Sequence, residues 1–118
     1  VASKVDLELL ENDDTEVIVT LTTNKPEEGT PLDLTDHTVE VVLKVSAPTP
    51  DGDAASWLAT SVSEPERVVV TDETNGVVKI LFPHGKVTTS MGAWRVTGIS
   101  SEGLRKTGVY GAVTVVDT

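Results

Sequence analysis

The residues best equipped for chemistry are two histidines and several clusters of carboxylates. His37 follows Asp33 and Asp36 in the stretch GTPLDLTDHTVEVVLKV (29–45), and His84 stands in Pro83-His84-Gly85. Zinc needs three or four ligands in a tetrahedral set. Asp33, Asp36 and His37 are close in sequence, but no second His or Cys has a diagnostic spacing, so surface histidines are expected. Asp51-Gly52-Asp53 and Glu11-Asn12-Asp13-Asp14 offer the oxygen ligands that Ca²⁺ prefers, yet neither fits the twelve-residue calcium loop. Solvated turns account for both. Paired carboxylates sharing a cleft could do acid–base work, but with 19 Asp and Glu in the chain such pairs arise by chance. Serine and threonine are abundant, without a Gly-x-Ser-x-Gly or a Ser-His-Asp set. No glycine-rich loop precedes a helix to cradle phosphate. The sequence assigns no catalytic residue, no cofactor and no metal ligand, and the expectation is that the protein is not an enzyme.

Composition narrows the partners. The 118 residues carry 9 Lys and Arg against 19 Asp and Glu, a formal charge of −10. Such a surface repels phosphate backbones and anionic lipid, so neither nucleic acid nor membrane is expected as a partner. The basic residues Arg67, Arg95, Arg105 and Lys106 read as scattered among strands, whereas nucleic-acid modules concentrate theirs on one surface. No run approaches the ~18 apolar residues of a membrane helix. The stretch VASKVDLELLENDD lacks the apolar core of a signal peptide, so use without Sec export is expected. There is no cysteine, which excludes disulfides, thiolate metal sites and a Cys nucleophile.

The elements that would hold any site are strands. The length suits one domain, residues 1–118, large enough to bury roughly two-thirds of its unfolded surface. With two Trp, one Tyr and one Phe, the core must be built mostly from Val, Leu and Ile, which suit a pleated sheet. The apolar period is two. Val5, Leu7 and Leu9 form one row, Val17, Val19 and Leu21 the next, and Val39, Val41, Leu43 and Val45 the cleanest. Val68 and Val70, then Val78, Ile80 and Phe82, then Trp94 and Val96, continue the series. Hairpin turns are expected at 72–76 and 100–103. Leu104–Val116 reads as a long last strand, in which Gly108 and Gly111 mark a bulge or a close backbone approach. About seven strands at short spacing predict an all-β, Ig-like antiparallel β-sandwich.

The irregular stretch 46–65, SAPTPDGDAASWLATSVSEP, supplies the candidate interface residues Pro48, Pro50, Trp57 and Leu58. An exposed Trp often marks an interface. Trp57 either does so or folds back over an open edge of the core. In the opening stretch, Pro31 restricts Thr30 to extended backbone, Leu32 and Leu34 cap one end of the core, and Asp33, Thr35 and Asp36 accept hydrogen bonds from loop amides. On this reading the stretch launches a strand.

The run GTPLDLTDHTVEVVLKV resembles the G-x-P-x-D-L-T-G-x-x-V signature of the Ig-like domain at the N-terminus of phage baseplate upper proteins. VVVTDETNGVVKILFP and MGAWRVTGISSEGLRKTGVYGAVTVVD are similar to that family's later strand–turn–strand segments. The likeness covers roughly residues 15–117. It departs at Asp36, where Gly is usual, at Trp94, where Tyr is usual, and in the longer, Pro-rich 46–65. The resemblance implies a non-enzymatic structural component of a tailed-phage virion, made in the host cytoplasm, in the tail or baseplate as a minor tail protein. Its implied partners are other virion structural proteins, in a homo-oligomeric or symmetric multi-copy assembly. A capsid-decoration protein on the head exterior and a carbohydrate- or host-surface-binding module are the alternatives.

Overall fold

The computed structural model describes residues 3–22, 31–46, 48, 56–84 and 86–117. Most of the alternating sequence becomes strand, but Val45, expected in the inward row of Val39, Val41 and Leu43, lies past the end of its strand and is exposed. The described strands are β1 (Ser3–Lys4), β2 (Leu7–Leu10), β3 (Thr15–Thr20), β4 (Thr38–Lys44), β5 (Trp57–Thr60), β6 (Val68–Asp72), β7 (Val77–Phe82), β8 (Ala93–Ile99) and β9 (Arg105–Val116). They form two sheets. The larger has the order β1-β9-β8-β4-β5, with β2 also on β9, and the smaller has the order β3-β7-β6. With β5 set aside as an added edge strand, β3-β7-β6 facing β4-β8-β9 is the Ig sandwich order, but the first strand lies on β9 and not beside β3.

The described strands number nine because the first strand is broken at Val5 and Asp6 and because Trp57–Thr60 forms a strand of its own. The first strand also runs parallel to β9, with Ser3 opposite Val109 and Leu10 opposite Val116. All other pairings among the described strands are antiparallel. The parallel run follows from the next connection: after Leu10 the chain crosses to the other sheet to begin β3, so β2 is not folded back on a hairpin partner.

The core lies between the sheets. Leu21, Val39, Val41, Leu43, Val78, Ile80, Val96 and Val109 are fully buried there. Phe82 sits at one end, edge-on to Trp57 at 5.6 Å and to Trp94 at 6.2 Å between ring centroids. Leu32 and Leu34 close the other end, near Gly98, where a Cβ would lie 3.2 Å from both leucines. The opening stretch therefore launches β4. Leu32 N–H donates to Leu21 O at 2.8 Å, and Leu34 N–H donates to Glu73 O at 2.6 Å. Asp33 Oδ1 accepts from Thr35 N–H and Oγ1 at 3.0 and 2.7 Å. Asp36 has φ 59° at the position where the resembling motif has glycine, so the backbone there is one that glycine favours.

Both glycines of β9 serve close approach. The register against β8 shifts at Gly108, and a Cβ there would lie 2.6 Å from that of Leu21. A Cβ on Gly111 would lie 1.9 Å from Val5 O. That carbonyl is turned inward to accept from Trp94 Nε1 at 2.7 Å. Asp6 Oδ1 accepts instead from Ala112 N–H, at 3.0 Å. The break between β1 and β2 thus has a cause: one backbone carbonyl leaves the ladder for a buried indole, and a side-chain oxygen takes a position beside the gap.

Candidate functional site

Strand order brings together, on the outer face of the large sheet, residues far apart in the chain. One row across the strands reads Leu58, Val42, Arg95, Tyr110, Lys4. The rows beside it read Thr60, Glu40, Thr97, Thr107 and Lys44, Ala93, Ala112. β4 is an interior strand of this face, paired with β5 on one side and β8 on the other. Its outward side chains are consequently buried as well: Val42 is 0% exposed, Lys44 7% and Glu40 9%.

Glu40 organises the charges. Its Oε1 accepts from Arg105 Nη2, and from Arg95 Nη2 at 3.5 Å. Arg95 Nε also donates to Thr97 Oγ1 at 3.3 Å, and the Thr97 and Thr107 hydroxyls are 3.3 Å apart. The Glu40 side chain is 11% exposed and that of Arg105 47%, so the carboxylate is withdrawn while one guanidinium faces solvent. Beside this network lies a pocket of about 130 Å³ lined by Lys44, Ala93, Trp94, Arg95, Tyr110 and Gly111. Tyr110 and Leu58 are 43% and 42% exposed. The arrangement presents a small apolar area with oriented cationic donors, suited to a polar-rimmed or carboxylate-bearing protein surface.

The arginines that read as scattered are therefore gathered in part. Arg95 and Arg105 lie 55 and 65 residues beyond Glu40, and only the β4-β8-β9 order makes them neighbours. A face on which Glu40, Val42 and Lys44 alternate with the core row was visible in the sequence. Its partners across the sheet were not.

Of the candidate interface residues, Trp57 takes the second of its two expected places. It is 8% exposed and packed on Phe82, so it closes the core edge and presents no free ring to a partner or a sugar. Leu58, its neighbour on the opposite face of β5, is exposed, as is Pro48. Pro50 and Asp51-Gly52-Asp53 lie outside the described residues.

The histidines lie at opposite ends of the sandwich. His37 Nδ1 bonds to Thr35 O at 2.8 Å beside the Leu32–Leu34 cap. His84 lies next to the end of β7, where its N–H and Nδ1 meet Asp14 Oδ1 at 2.8 and 2.9 Å. Those two hydrogen bonds hold the Asp14 carboxyl below its ordinary value of 3.8. Asp33 is likewise lowered by the Thr35 N–H and hydroxyl, and Asp72 by the Asn75 side chain. Asp33 and Asp72 are thus engaged in organising their own turns, while Asp14 ties the turn before β3 to the end of β7. Among the described residues, no three His, Asp or Glu side chains converge to hold a metal ion.

Comparison of the chain with family models and with curated proteins gives no match.

Proposed function

We propose that the protein is a non-enzymatic assembly module of a tailed-phage virion, placed in the tail or baseplate and contacting other virion proteins through the outer face of its large sheet. The observation that carries this reading is that face: Tyr110 and Leu58 exposed around the Glu40–Arg95–Arg105 network, on a chain of net charge −10. Lys4, Lys44, Arg95 and Arg105 all sit on it. Local reversal of charge sign on an acidic protein favours docking against an acidic neighbour and disfavours wrong partners. The sequence likeness at residues 29–45 supports the virion setting, and the positive φ of Asp36 gives the family's glycine a physical counterpart.

Imaging of the native particle tests this. The expected result is density for this sandwich at symmetric positions in the tail, with Tyr110 and Arg105 buried against a neighbour. Density on the head exterior would replace the tail placement with capsid decoration. Recovery of the protein only from infected-cell cytosol, never from particles, would end the structural reading.

A further inference from the structure

Among the described residues β3 pairs with β7 alone, and its other side is an open edge. Most exposed edges are blunted by shortness, bulges, lysine or proline. β5 has four residues, β6 has a register shift between Val70 and Asp72, and the β1–β2 edge is broken at Val5 and Asp6. β3, TEVIVT, is neither short, bulged nor broken, and Glu16 is its one charge: it runs six residues in unbroken register with β7. At its centre Ile18 is 63% exposed.

The direction of its amides follows from its neighbours. Leu81 N–H donates to Arg67 O, on the β6 side of β7, and Leu81 is the register partner of Glu16. Backbone groups alternate along a strand. Glu16, Ile18 and Thr20 therefore direct both N–H and C=O to the open edge, while Thr15, Val17 and Val19 bond to β7.

We propose that this edge pairs with the same edge of a second copy, antiparallel, about a twofold axis centred on Ile18. That axis sets Ile18 against Ile18 and Glu16 against Thr20 in both directions, and opposing residues exchange both hydrogen bonds. The pattern is self-complementary in three respects. Every open amide and carbonyl of the strand is used, the two exposed isoleucines cover each other, and neither Glu16 faces a carboxylate. Moving the axis by one residue spoils this. It makes either Asp14, whose carboxylate is held by His84, or Thr22, whose N–H donates to Gly108 O, the terminal partner. Two three-stranded sheets become one of six strands. The inference gives the assembly reading a specific self-contact and rests on that reading only for its purpose.

A pair of charge variants tests it, with sedimentation of the full chain across concentration as the readout. Thr20→Lys places an ammonium opposite Glu16 twice per dimer and tightens dimerisation about 2- to 30-fold. Thr20→Glu places like charges there and loosens it by a similar factor. Circular dichroism confirms that both variants keep the wild-type fold. In the wild type, hydrogen exchange at the amides of Glu16, Ile18 and Thr20 slows as concentration rises, while Val17 and Val19 are slow throughout. Wild-type protein that stays monomeric to about 1 mM, the limit of a weak self-contact, overturns the proposal and leaves the edge to a strand from a different chain. A dimer indifferent to the sign of the charge at position 20 overturns it too. Neither result bears on the virion placement, which particle imaging decides separately.

Discussion

Replacing Gly111 by alanine isolates the contact between the first strand and the last. The added Cβ would lie 1.9 Å from Val5 O, and real Cβ contacts do not fall below 3.0 Å. The carbonyl must then retreat by about 1.1 Å, the difference between those two figures. Starting 2.7 Å from Trp94 Nε1, it moves to about 3.8 Å if it withdraws along the bond, beyond hydrogen-bonding range. An indole N–H left unpaired in the core costs about 1–3 kcal/mol. If β2 lifts with β1, Leu9 leaves the core as well, adding about 1.5–3 kcal/mol. The expected loss is thus about 1–3 kcal/mol with the strand in place and about 2.5–6 kcal/mol with it detached. Urea unfolding measures the total, and hydrogen exchange tells the two cases apart. The amides of Val5 and Glu11, which donate to Tyr110 O and Val116 O, lose protection only on detachment, while those of β7 stay protected. Trp94→Phe removes the same bond from the other side. Because both changes act through one carbonyl, the double variant costs less than the sum of the singles. A Gly111→Ala protein within about 0.5 kcal/mol of wild type, with the Trp94 indole proton shift unmoved, would refute the argument for close approach.

Three further outcomes follow from other contacts. Glu40→Ala removes the carboxylate that Arg95 and Arg105 share. It costs about 1–3 kcal/mol in urea unfolding, less than for a fully buried pair because Arg105 is half exposed. Asp36→Gly relieves the positive φ and is neutral to stabilising by up to about 1 kcal/mol, whereas Asp36→Val is destabilised by at least about 1 kcal/mol; thermal melts with opposite shifts show this. Stability falls in acid. Asp14, Asp33 and Asp72 titrate below 3.8 in the folded chain, so the unfolded chain binds protons first. Their contribution is complete above the unfolded value and is lost as pH drops through the lower folded values. Melts from about pH 6 down to about pH 2 trace that loss, and Asp33→Asn shallows the slope.

Local chemistry made much of this fold legible. Alternation marked β3, β4, β7 and the long β9, and buried rows such as Val39, Val41 and Leu43 stand where the period of two puts them. Gly108 and Gly111 could be read as a bulge and a close approach because only a missing side chain permits either. The Leu32 and Leu34 cap was legible from turn chemistry. What stayed hidden depends on which strand lies beside which. Glu40 carries no mark that Arg95 and Arg105 will reach it, since sheet order, not spacing, makes them neighbours. The parallel run of β1 and β2 on β9 likewise depends on a crossing between sheets. Trp57 was ambiguous because a Pro-rich flank suggests exposure, while its alternation with Leu58 places it inward.

The parallel seam between the first and last strands also has a mechanical meaning. Ser3 enters beside Val109 and Val116 leaves beside Leu10, so the chain comes in at one end of the seam and goes out at the other. Traction on the two flanks would load the bonds of the seam together, in shear, where a hairpin would unzip one bond at a time. A sandwich wired this way should resist stretching along its length better than one whose end strands form a hairpin.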